Sequence, residues 1–98
     1  MAWRVATVAG VSMAPTLSDG DRLLVRFGAK PRPGRLVLAL FPQRPDVLVV
    51  KRAVRAADGG WVVLGDNPAY SDDSRVHGPA QVIGRAWRWR YWAASSWR

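Results

Sequence analysis

Ninety-eight residues, 49% of them hydrophobic and 22% charged, fit one globular domain and leave no room for two. The absence of cysteine excludes disulfides, thiolate nucleophiles and iron-sulfur clusters; one histidine and no glutamate leave too few donors for a protein-built catalytic metal, so neither metal nor cofactor is expected. Thirteen arginines and two lysines against seven aspartates give a net charge of +8, spread along the chain, which admits nucleic acid, anionic lipid or an acidic protein as partner and selects none of them.

In chain order, Met1-Ala2-Trp3-Arg4-Val5-Ala6-Thr7-Val8-Ala9-Gly10 opens with an apolar run far shorter than the roughly 20 residues of a spanning helix. It also lacks the hydrophobic stretch of about 7 to 15 residues and the cleavage site of a signal peptide. The expectation is a soluble, cytoplasmic protein, at most peripheral to a membrane. Short Val- and Leu-rich runs cut by turn signals predict an all-β domain, and helical periodicity is not sustained anywhere. Strands are predicted over residues 5–9, 22–27, 36–40, 47–54, 61–64 and 82 to about 91. Two stretches rich in proline and arginine, residues 30–35 and 42–46, are expected to be loops, and Asp58-Gly59-Gly60 is a hairpin turn because glycine reaches positive φ. Residues 1–98 form a single domain in this reading, with 93–98 as a frayed tail.

Gly10-Val11-Ser12-Met13-Ala14-Pro15-Thr16-Leu17 holds a hydroxyl on a proline-bounded turn, since Pro15 fixes its own φ and has no N–H. Ser12 is a nucleophile only if a base lies nearby; otherwise it is a turn serine bonding local backbone. Strand alternation places Leu48, Val50 and Arg52 on one face and Val49, Lys51 and Ala53 on the other. Lys51 is thus a lysine on a largely apolar face. Burial disfavours its charge and makes it a base, whereas snorkelling to water would leave it an ordinary cation.

The turn serine with Met13, Pro15, Thr16 and Leu17, the Pro33-Gly34-Arg35-Leu36-Val37 segment, Val50-Lys51-Arg52-Ala53-Val54, and Gly65-Asp66-Asn67-Pro68-Ala69-Tyr70-Ser71-Asp72-Asp73-Ser74-Arg75 follow one another in order. Together they resemble the sequence boxes of the signal peptidase I family of serine proteases over roughly residues 8–87, with Arg35 in place of the usual aspartate of the second box. The resemblance implies coiled antiparallel β-sheets like those of signal peptidases and SOS-repressor proteases, and a Ser-Lys dyad. Ser12 is then the nucleophile and Lys51 the general base, Ser71 orients the lysine, and Asp73 with Arg75 forms a charged pair bracing the site. The Ser12 backbone N–H is the oxyanion donor. Gly10 stands where some members carry a second donor hydroxyl and gives room for substrate approach, as does the box residue Met13. His77 fits no box, and Asp66 and Asn67 are read as shaping a turn.

Without the anchor and length of typical signal peptidases, the chain looks most like the short branch known as nickel-type superoxide dismutase maturation proteases. That implies an endopeptidase removing an amino-terminal extension from the dismutase precursor, the nickel belonging to the product. The tail Arg85-Ala86-Trp87-Arg88-Trp89-Arg90-Tyr91-Trp92 suits either a closing strand whose aromatics cap the core, the preferred reading, or peripheral membrane contact. Competing readings are a signal peptidase acting on secretory preproteins at the membrane surface, a self-cleaving SOS-repressor-type protease, disfavoured because no DNA-binding domain or spare cleavage segment precedes Ser12, and a non-enzymatic basic β-domain for nucleic acid or anionic lipid. Nucleic acid is not the expected partner, because that reading leaves the four boxes unexplained.

Overall fold

Short runs rich in valine, leucine and alanine are cut by turn residues, and a polypeptide so patterned satisfies its backbone by pairing extended segments. The computed structural model describes residues 2–70 and 72–89. It contains β1 (Trp3–Thr7), β2 (Arg22–Phe27), β3 (Leu36–Phe41), β4 (Arg44–Ala57), β5 (Gly60–Leu64), a single helical turn α1 (Ser74–His77) and β6 (Gln81–Arg88). The strands form one antiparallel sheet in the order β1-β2-β6-β3-β4-β5, confirming the all-β expectation in one small domain. No helix among the described residues is long and apolar enough to cross a membrane.

The sheet curls back on itself. Trp61 of β5 bridges Ala80, the residue before β6: the Trp61 N–H donates to the Ala80 carbonyl at 2.9 Å and the Ala80 N–H returns the bond at 2.7 Å. This ties β6, β3, β4 and β5 into a ring. Glycine is required where the ring closes, because a Cβ on Gly60 would fall 2.2 Å from the Ala80 carbonyl oxygen. Gly84 has the same role where β6 crosses β2, with a Cβ 2.4 Å from the Arg26 carbonyl oxygen. Register shifts in β3 and between Ala53 and Arg55 of β4 supply the extra twist that such curling demands.

Both faces of β3 are covered, so Val37, Leu38 and Ala39 are buried in succession. Leu38 joins Met13, Leu17, Leu23 and Val25 in one core, while Val37 and Ala39 join Phe41, Ala53 and Val63 inside the ring. The predicted alternation holds through the centre of β4: Val49 and Ala53 pack in the ring and Val50 against the other core.

Three expectations need correction. Residues 44–46 are not a loop. The turn is only Pro42-Gln43, with Phe41 paired to Arg44, and Pro45 is accommodated because β5 pairs with β4 only from Arg52 onward. The first strand begins and ends two residues earlier than predicted, since its pairing with β2 runs from Trp3↔Arg26 to Thr7↔Arg22 before the chain turns Val8 into the core. The helical turn α1, where no helix was predicted, is nucleated by Asp73, whose carboxylate caps it by accepting the Arg75 N–H. The expected fraying of residues 93–98 lies outside the described residues.

Candidate active site

Ser12 sits half-buried on a turn in which the Ala14 N–H donates to the Val11 carbonyl at 3.1 Å and the Leu17 N–H to the Met13 carbonyl at 2.9 Å. The Ala14–Pro15 peptide is cis. Met13 and Leu17, each 1% exposed, plug the turn into the core below it. Lys51, opposite Val37 in the sheet, is 3% exposed. Ser12 and Lys51 line one cleft of about 440 Å³, with β1 on one side and residues 47–51 of β4 on the other. Its remaining surface is mostly apolar, including Met13, Val25 and Leu38, and Arg4 is the other charged side chain on its walls among the described residues.

Burial lowers the Lys51 amine from its ordinary value of 10.5 and Arg75 pushes the same way, while the carboxylates of Asp73 and Asp72 pull it back up; the net direction is down. Desolvation is the largest of these effects. Asp73, fully buried, accepts the Gly65 N–H at 2.8 Å, the Arg75 N–H and Nε at 3.0 Å each, and Arg75 Nη2 at 2.7 Å. Burial alone would raise its pKa, yet the Arg75 side chain and the two backbone donors hold it down to about 2. Asp73 and Arg75 thus form an ion pair at 2.7 Å, and both charges act on Lys51. Ser71 lies outside the described residues.

Gly10 adopts φ +86°, where glycine is favoured, and its N–H donates to Asp19 Oδ1 at 2.7 Å. A Cβ there would meet nothing within 4 Å, so the backbone conformation rather than crowding accounts for the glycine. His77 is not on the cleft. Its Nε2 lies 2.6 Å from Asp72 Oδ1, its ring stacks at 4.8 Å on Phe41, and Asp72 also pairs with Arg44 at 2.8 Å. Among the described residues no group of three or more His, Cys, Asp or Glu side chains could hold a metal ion.

Sequence reasoning missed the scaffold joining the boxes. Asp66 accepts Arg52 Nε at 2.9 Å, Arg52 Nη2 at 2.7 Å and the Thr16 hydroxyl at 2.6 Å, while Arg52 Nη1 donates to the Gly34 carbonyl at 2.8 Å. One carboxylate and one guanidinium therefore connect all four sequence boxes. The signal was present: Arg52 falls on the opposite face to Lys51 beside Val50, where a partly buried cation needs an anionic partner. Asn67 adds two further bonds, from its backbone N–H to the Ser12 carbonyl at 2.9 Å and from Nδ2 to the Val11 carbonyl at 3.0 Å. The turn-shaping role read for it appears in the Ala69 N–H donating to its Oδ1 at 3.2 Å.

The tail aromatics do not cap the core at Trp87, which is 37% exposed; its neighbour Ala86 points inward instead. Trp87 instead meets Trp3 with ring centroids 5.6 Å apart, Arg85 lies over Trp87 and Arg26 over Trp3. The expectation for residues 90–92 falls outside the described residues.

A family model described as Peptidase S24-like matches residues 3–87, from the first strand to Trp87. No curated protein matches the chain. The matched span contains the cleft, both of its walls and the whole Asp66–Arg52 scaffold, and the chain belongs to the Peptidase S24-like family, whose members are peptidases of the serine type.

Proposed function

We propose that the protein is a serine endopeptidase of the signal peptidase I-like branch, in which Ser12 is the nucleophile and Lys51 the general base. The observation that carries this reading is a turn serine and a buried lysine of lowered pKa lining the same cleft. Neutral Lys51 takes the Ser12 hydroxyl proton as Oγ bonds to the scissile carbonyl carbon. The lysine returns that proton to the leaving amine as the C–N bond breaks, leaving an acyl-serine. Water, deprotonated by the same amine, then cleaves the ester and regenerates Ser12. The Ser12 N–H stabilises the oxyanion in both halves, Asp73 and Arg75 brace the loop, and Ser71 orients the lysine.

The substrate proposed is an extended precursor segment with small residues near the cut, bound along a strand edge flanking the cleft. The resemblance to the short maturation-protease branch selects the nickel superoxide dismutase proenzyme. A second reading, cleavage of secretory preproteins at a membrane surface, is favoured by the exposed Trp3 and Trp87 with their stacked arginines. Mass spectrometry of both precursors after incubation with wild type, Ser12→Ala and Lys51→Met tests these assignments. Wild type should release one defined extension from the dismutase precursor and both variants none. Cleavage by either variant refutes the dyad, and cleavage of the preprotein alone moves the substrate to the second reading.

A further inference from the structure

Asn67 grips the two carbonyl groups on either side of Ser12, and one of these contacts has a consequence for catalysis. The Val11 carbonyl and the Ser12 N–H belong to a single peptide unit, which is planar and trans, so the two groups point in opposite directions. Asn67 Nδ2 donates to that carbonyl at 3.0 Å and the Ala14 N–H donates to it at 3.1 Å. Two donors fill the acceptor capacity of the oxygen, and the peptide cannot rotate without breaking both bonds. The Ser12 N–H is therefore fixed facing away from Asn67. It meets no acceptor among the described residues, as suits a donor reserved for a bound group.

The orientation of the Asn67 amide is itself determined, because the Ala69 N–H donates to Oδ1 and leaves Nδ2 for Val11. The preceding residue, Asp66, fastens this loop to Arg52 and Thr16. We infer that Asn67 is a positioning residue: by holding the Val11 carbonyl, its side-chain amide aims the Ser12 N–H at the developing oxyanion. This rests on the reading of Ser12 as nucleophile.

Asn67→Asp removes the donor to Val11 while keeping the backbone bond to the Ser12 carbonyl and an acceptor for the Ala69 N–H; because an added carboxylate raises the pKa of a nearby lysine, kcat is read on the high-pH plateau where the amine is neutral. Asn67→Ala loses the Val11 and Ala69 contacts together. Steady-state kinetics on a precursor peptide, normalised to the folded fraction from near-ultraviolet circular dichroism, should show kcat reduced about 10- to 100-fold in both variants with KM within about threefold, somewhat less than the loss of an oxyanion donor itself. The inference is overturned if Asn67→Asp retains wild-type kcat while only Asn67→Ala is impaired, or if the losses lie in KM or vanish on normalisation, since those outcomes describe a residue that merely folds the loop. If Asn67→Asp does not fold, the Asn67→Ala kinetics decide between the same outcomes by the kcat–KM split. Ser12→Ala assayed in parallel separates the two claims: an inactive Ser12→Ala beside a fully active Asn67→Asp defeats the positioning role alone, whereas an active Ser12→Ala defeats both.

Discussion

Replacing Asp66 by Asn keeps the shape of the side chain and removes the charge at the centre of the scaffold. The carboxylate accepts three hydrogen bonds, from Arg52 Nε, Arg52 Nη2 and Thr16 Oγ1, at 2.9, 2.7 and 2.6 Å. An amide offers one acceptor oxygen, so its NH₂ must face either the Arg52 Nε donor or the Arg52 Nη2 and Thr16 donors. At least one charge-assisted bond is lost and the survivors become charged-to-neutral bonds of roughly half the strength. Such losses sum to about 3 kcal/mol in a dry site; with the Arg52 side chain 33% and Asp66 18% exposed, water screens part of this and about 2 kcal/mol remains. In a domain of this size that lowers Tm by about 8 to 16 °C. Thermal melts followed by tryptophan fluorescence would measure it, and a double-mutant cycle with Thr16→Val would show a coupling of at least about 0.5 kcal/mol. A Tm within about 3 °C of wild type, at a pH where Asp66 is ionised, would refute the claim that this carboxylate ties the segments together.

Two predictions concern pH. Asp73 is held at about 2 against an ordinary 3.8, so folding favours its ionised form: the stabilisation is fully present above about pH 4 and disappears as pH falls through about 2. Urea midpoints measured across that window should fall steeply for wild type and more gently for Asp73→Asn, which starts from a lower midpoint at neutral pH; parallel curves would contradict the assignment. In the proposed mechanism Lys51 has to be neutral to act, so kcat/KM should rise with pH along a limb centred below the ordinary lysine value. Because Arg75 lowers the Lys51 pKa and Asp72 raises it, Arg75→Gln should move that limb to higher pH and Asp72→Asn to lower pH; shifts of the same sign would show that these charges do not act on the base.

What could be read from the residues was local. The bounds of β2 match the predicted 22–27, and the hairpin at Asp58-Gly59-Gly60 joins β4 to β5, because each depends on alternation and on a glycine turn within a few positions. The apolar flanks of Lys51 left burial and snorkelling both open, and the structure decides for burial, at 3% exposure. The remainder depends on pairing between distant segments. Nothing near Ala80 indicates that it closes a ring with Trp61, and the strand character of residues 44–46 comes from the partner strand across a two-residue turn rather than from their own composition. The Asp66 scaffold was hidden for a related reason: an aspartate in a Gly-Asp-Asn turn is locally sufficient as a turn former, so its bonds to Thr16 and Arg52, 50 and 14 residues away, leave no mark in the neighbouring residues.

The basic excess of the chain acquires a purpose once the carboxylates around Lys51 are followed to their partners. A buried lysine can serve as a base only while no free carboxylate stands near enough to restore its charge. The segment from Asp66 to Asp73 carries three aspartates, enough to do that if they were unpaired. Each is instead engaged by a cation: Asp66 by Arg52, Asp72 by Arg44 and Asp73 by Arg75. Arg75 has a second effect, since its charge acts on Lys51 directly and in the same direction as burial. Arg44, Arg52 and Arg75 thus pair the carboxylates of this segment, and Arg75 offsets part of the field that Asp73 and Asp72 impose on Lys51. In the proposed mechanism these pairs have a role beyond stability, to which exposed pairs such as Arg44–Asp72 contribute little: they let an acidic segment lie near a lysine that has to be neutral to act as the base.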